Sequence, residues 1–182
     1  MADPAPFISQ QDLTDYIGRD VTTDNGAAMA VGGACQMIRD LAEQDFNGTT
    51  SMAVLDGTGT DVLVLPQFPV SKAGTVLVDG GTITDYMLTD NGLLLRGTAG
   101  DNPRPLWPLG RQNVQITYDH GYTVVPQSVR MVALAIAARL IVQGVADTET
   151  VGDVTIDYGG RATDFTKGEM AIIYGFWRKR SF

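Results

Sequence analysis

The sequence is short of the residues that usually build covalent or metal-dependent sites: it holds one cysteine and one histidine. One cysteine makes a disulfide framework within the chain impossible. Cys35 falls in an Ala- and Met-rich helical pattern and reads as a small buried hydrophobe. His120 has no second histidine and only that distant cysteine as partners, so neither zinc nor a catalytic triad is expected around it. Neither an HExxH sequence nor a G-x-S-x-G elbow occurs. Long apolar runs are missing too. The stretch Met131–Ala138 falls far short of the roughly 20 residues that span a bilayer, so no membrane partner is expected. The N-terminal "MADPAPF" has neither a basic start nor a hydrophobic segment, so no secretory signal is expected and assembly in a reducing cytoplasm is the simplest reading. Positive charge is scarce: 13 basic residues face 21 acidic ones, a net charge of −8. That balance argues against gripping nucleic acid through its phosphates, though not against letting DNA pass.

What is present fits a folded protein, with 44% hydrophobic and 19% charged residues over 182 positions. Ser9 and Asp12 predict a capped helix over 10–18 that ends at Gly18. A second helix is expected from about Thr23 to Asp45, with Met29, Ala30, Ala34, Met37, Ile38 and Leu41 in one stripe. Gly26, Gly32 and Gly33 weaken it and suggest close approach of another helix.

From about residue 49 the pattern alternates, and Asx-Gly pairs punctuate it. "MAVLDGTGTDVLVL", "TVLVDGGTI" and "DYMLTDNGLLLR" read as hairpins. With "VQITY" they give about six short strands between Met52 and Tyr118. Residues 97–112 read as a long Pro- and Gly-rich loop. Val114, Ile116 and Tyr118 share one face of the last strand, which "DHG" breaks. Pro126 then opens an apolar helix that should be the buried centre of a bundle. A short alternating run at Val154, Ile156 and Tyr158 follows, and Thr166 with Glu169 forms a capping box for a last helix. The fold class is therefore α+β: an α-helical bundle interrupted by an inserted small antiparallel β-sheet or open barrel, with a C-terminal strand and helix. The segments are 1–48, 49–122 and 123–182 of a single domain.

Chemistry is hard to find. "DGTGTD" at 56–61 lacks the lysine of a phosphate loop. "DTETVGDVTIDY" fails as a calcium loop, because Val151 and Tyr158 stand where oxygen ligands are needed. No catalytic, cofactor-binding or metal-binding residue is assigned. His120 reads as a surface or hydrogen-bonding residue beside a turn. "FWRKRSF" at the end has two readings: cations that complement a helix dipole, or an aromatic and basic anchor for an acidic groove.

The strings "VLVLPQFPV", "TVLVDGGTITDYMLTDNGLLLR" and "LWPLGRQNVQITYDHGYTVVPQSVRMVALAIAARLI" resemble, in that order, the head-to-tail adaptor (connector) proteins of long-tailed bacteriophages. The resemblance covers about residues 62–141 and leaves the tail unmatched. It implies a helical bundle with a β-rich part, assembled as a dodecameric ring beneath the portal protein, that carries the DNA channel toward the tail. It implies no enzyme activity and no cofactor, with His120 at the sheet-to-bundle joint. Expected partners are further copies of the chain, the portal, and the next tail-side neck or tail terminator protein. DNA passes through without specific binding. The expected location is the virion neck, after assembly in the host cytoplasm. Portal docking falls to Phe176, Trp177, Arg178, Lys179, Arg180 and Phe182, and a neighbour- or tail-facing role to the loop residues Arg104, Trp107 and Arg111. The competing reading is a β-rich binding module of a baseplate or cell-attachment device, with Trp107 and the long loop forming its ligand platform.

Overall fold

Ser9 starts the first helix as the capping box predicts: its hydroxyl accepts from the Asp12 backbone while the Asp12 carboxylate accepts from the Ser9 backbone at 2.7 Å. The computed structural model describes residues 4–89, 91–143, 148–151, 154–157 and 164–176. They form two compact units, one from residues 1–44 with 125–182 and the other from residues 45–124.

In the first unit, α1 (Gln10–Ile17) ends at Gly18, whose φ of 69° is left-handed, the conformation glycine adopts without penalty. Asp24 caps α2 (Asn25–Ala42) by accepting from Gly26 at 2.7 Å. The buried stripe of α2 is Ala27, Ala30, Val31, Ala34, Cys35, Ile38 and Ala42. It is rotated from the expected one, since Met29 is 78% exposed. The expected close approach at Gly32 and Gly33 does not occur either: a Cβ at either would meet nothing within 4 Å among the described residues. The alanines carry the packing instead, because their small side chains lie on the stripe that α3 covers.

That third helix, α3 (Gln127–Gln143), is the centre of the unit, with α1, α2 and α4 (Lys167–Tyr174) all packed against it. Val129, Ala133, Ile136 and Ala137 are wholly buried. Two arginines tie it to its neighbours. Arg130 reaches Asp12 at 2.9 Å, and Arg139 grips Glu169 with both terminal nitrogens, at 2.7 and 3.0 Å. Thr166 and Glu169 form the predicted capping box of α4. The single strand expected after α3 is instead a hairpin of two, Thr148–Val151 paired antiparallel with Val154–Asp157 in a sheet of its own. Strand formation thus begins at Thr148, ahead of the alternating run at Val154.

The second unit holds two antiparallel sheets around one core. The larger, in the order β1-β7-β3-β4, contains β1 (Thr49–Gly57), β7 (Gly110–His120), β3 (Val70–Val78) and β4 (Gly81–Ile83). The smaller, β2-β6-β5, contains β2 (Val62–Val64), β6 (Leu93–Arg96) and β5 (Tyr86–Leu88). The hairpin strands of the first unit are therefore β8 and β9. Along β7 the alternation is complete: Val114, Ile116, Tyr118 and His120 are buried, and the residues between them are less so. They pack with Leu63, Leu65, Val70, Val76, Leu94 and Trp107.

Two of the three expected hairpins form, β3–β4 across Asp79 and Gly80, and β5–β6. The third does not. β1 pairs with β7, more than fifty residues away, while β2 joins the other sheet by pairing with β6. The chain crosses between sheets at Gly57, where a Cβ would lie 1.8 Å from the Pro108 carbonyl oxygen, so only glycine fits.

Candidate functional site

The loop between β6 and β7 is held from within by the residue expected to face outward. Trp107 is completely buried. Its indole N–H donates to the Leu94 carbonyl at 3.1 Å, its backbone N–H donates to Thr60 at 2.8 Å, and the Arg96 guanidinium lies 5.4 Å over its ring. Arg96 is in turn paired with Asp85 at 2.7 Å. Trp107 is therefore the pin of the loop. It offers no ring to a neighbour or ligand, which corrects the role assigned to it and takes the tryptophan out of the platform of the binding-module reading. The loop also ends earlier than expected, at Leu109, because Gly110–Gln112 already belong to β7.

What the pinned loop presents is Leu106 and Leu109, 58% and 83% exposed. Asn113 stiffens its end, accepting from Gly57 at 2.8 Å and donating to Pro108 at 3.1 Å. Arg104 is exposed and only loosely paired, 3.5 Å from Asp61, and Arg111 is exposed. Exposed Arg104 and Arg111 thus flank a pair of bare leucines. Sequence reasoning passed over both leucines. Their signal was the "PLWPL" string itself, in which a fixed buried tryptophan forces its neighbours outward.

A second exposed apolar region lies on β1, where Met52 and Val54 are 62% and 49% exposed. Their partners across the sheet are Thr117 and Gln115 on β7. β1 forms the margin of its sheet and, among the described strands, pairs with β7 alone.

His120, expected to be either a surface or a hydrogen-bonding residue, is the second: it is buried at the end of β7, and Gly121 with φ 88° turns the chain directly after it. Its Nε2 lies 2.9 Å from the Ser51 hydroxyl, and its ring stands 5.2 Å from that of Tyr118. Burial lowers its pKa below the ordinary histidine value, with the carboxylates of Asp45 and Asp119 pulling the other way. Nδ1 has no hydrogen-bond partner among the described residues, so no carboxylate orients the ring as a triad requires. Burial likewise pushes the Cys35 thiol up, away from the thiolate a nucleophile needs. Among the described residues no three His, Cys, Asp or Glu side chains are placed to hold a metal ion, and no helix is long and apolar enough to cross a membrane.

Of the residues expected to dock on a portal, Phe176 is described, half-buried just past α4, its N–H donating to Ile173 at 2.9 Å. Trp177, Arg178, Lys179, Arg180 and Phe182 lie outside the described residues.

No protein-family model matches the chain, and no curated protein does. Solved structures do, over its whole length. The fold is similar to that of particle-neck chains. One such chain comes from the neck of the native gene transfer agent (GTA) particle computed with C12 symmetry. It matches with a TM-score of 0.65 at 14% identity, over 100% of this chain and 94% of that one. A neck chain of the empty GTA particle computed with C6 symmetry gives 0.65 at 15% identity, over 100% and 95%. A chain of the native GTA virion gives 0.66 at 17%, over 100% and 95%. The likeness to these neck chains is one of fold, and it includes the helical segments that the residue-level resemblance to phage adaptors left uncovered.

Proposed function

We propose that the chain is a structural neck protein whose copies form a ring at the head–tail interface, bind the portal, and extend the DNA channel toward the tail. The observation that carries this reading is the end-to-end fold likeness to chains in necks computed with C12 and C6 symmetry. The resemblance of residues 62–141 to head-to-tail adaptors points the same way and was read from different information. The protein acts without catalysis and without a cofactor, as a shaped part.

A closed ring of identical chains needs two different lateral surfaces on each copy. The exposed margin of β1 is one such surface on the second unit, and the leucine-bearing loop with Arg104 and Arg111 faces a neighbour or the next tail-side protein. At −8 per copy the assembled ring is strongly acidic, and an acidic lumen repels the DNA backbone and leaves the genome free to slide. The basic, aromatic residues 176–182 supply the contact with the portal.

Electron microscopy of the purified protein mixed with its cognate portal tests the reading. Ring-shaped complexes are expected. Persistent monomers at every concentration, with no portal binding, refute it.

A further inference from the structure

β1 is an unusual margin for a sheet. Edge strands are normally short, interrupted, or guarded by lysine or proline, because their free N–H and C=O groups template the addition of another strand. β1 runs from Thr49 to Gly57 and contains no proline, lysine or arginine. Its pairing with β7 is regular from Thr49 opposite His120 to Leu55 opposite Val114, and the first irregularity comes only between Leu55 and Gly57. Its single charge, Asp56, lies at the far end and accepts from the Gln112 backbone at 2.7 Å. With Met52 and Val54 exposed, the stretch Thr49–Leu55 is neutral, regularly paired on one side and without a second partner among the described strands.

The β8–β9 hairpin has the opposite deficiency. It is a two-stranded sheet with four residues in each strand and no third strand among those described. Such a hairpin is marginal in water and needs a further strand or a packed face. Its sequence suits strand addition, since Thr148, Thr150, Val151, Val154, Thr155 and Ile156 are all β-branched. The charges of its two strands, Glu149 and Asp157, are acidic, so they require a host edge without carboxylates, which Thr49–Leu55 provides.

We propose that in the assembled ring the β8–β9 hairpin of one copy adds to the open edge of β1 in the next copy, extending its four-stranded sheet. The inference rests on the ring reading. A hairpin and an edge are different surfaces, so the contact is head-to-tail and passes from copy to copy around a closed ring. β1 pairing with β1 would instead consume both surfaces in a two-fold pair and end growth. Backbone hydrogen bonds supply the adhesion, as in other cases where an extended segment joins a sheet edge.

Hydrogen exchange on the unaltered protein, free and assembled on its portal, reads the contact directly. The amides of Thr49–Leu55 and of 148–157 should slow together by about tenfold or more on assembly. Mixed variants, each carrying one added cysteine, then establish that the contact joins two copies. Chains carrying Met52→Cys or Val54→Cys are combined with chains carrying Thr150→Cys or Thr155→Cys and oxidised, with Cys35 left in its buried place. Disulfide dimers containing one chain of each kind are expected in ring fractions. Micrographs of the same samples separate the two ideas. Rings whose β1 and hairpin amides exchange as fast as in the free protein overturn this inference and leave the ring standing, whereas the absence of rings overturns both.

Discussion

Burial of His120 leaves a signature in the pH dependence of stability. Its pKa is lowered in the folded protein from the ordinary 6.5, so the unfolded chain binds the proton more readily. The contribution of the neutral ring is complete above about pH 6.5 and is lost as the pH falls toward the lowered folded value. His120→Gln keeps a hydrogen-bonding group near Ser51 and removes the titration. The wild-type urea midpoint should therefore drop more than the variant's between about pH 7 and pH 5. Parallel curves would mean that the ring is not held neutral. Trp107 shows the same theme, a large polar-tipped side chain enclosed with its one donor satisfied, although it belongs to a loop expected to face neighbours. Both residues stood out in the sequence, as the one histidine and one of two tryptophans, but which way each one points depends on partners far along the chain: Ser51 for one, Leu94 and Thr60 for the other.

At the level of elements, the docking of α4 onto α3 turns on Glu169. Partial burial works against its ionisation, but hydrogen bonds from Arg139 and the Thr166 backbone, with the Arg139 charge, outweigh this and lower its pKa below 4.5. The stabilisation is present above about pH 4.5 and is lost as the pH falls through the lowered folded value. The pair is largely shielded, with side-chain exposures of 27% for Arg139 and 11% for Glu169. Glu169→Gln should cost about 1–3 kcal/mol at neutral pH by chemical denaturation and progressively less in acid. A variant as stable as the wild type at pH 7 would rule out the clamp. The elements themselves were legible where local chemistry decides them. Ser9 with Asp12, Thr166 with Glu169, Asp79 with Gly80, and the alternation of β7 all carried into the structure. Asp56 and Gly57 looked like the same kind of turn and were not, because the strands on either side of them find partners in β7 and β6. No nearest-neighbour signal marks that choice. The stripe on α2 slipped for a related reason: methionine is as apolar as alanine is small, and the face that is covered is the one where a neighbouring helix fits.

For the whole molecule, charge and function meet in one measurement. A protein that clasped DNA would need basic residues gathered on a surface, and this chain carries 13 basic against 21 acidic side chains. Gel-shift titration of the assembled ring with free linear duplex at physiological salt should show no retention. Saturable binding tighter than about a micromolar would contradict the proposed acidic passage.

The second unit begins and ends at nearly the same point. Asn47 bridges Tyr122, Gly48 donates to the Tyr122 carbonyl at 3.1 Å, Tyr122 donates back to Phe46 at 3.0 Å, and a Cβ at Gly121 would strike the Asn47 oxygen. A segment whose two ends are stitched together behaves as a cassette. Such a segment can be lengthened or resurfaced without moving the points at which the chain enters and leaves it.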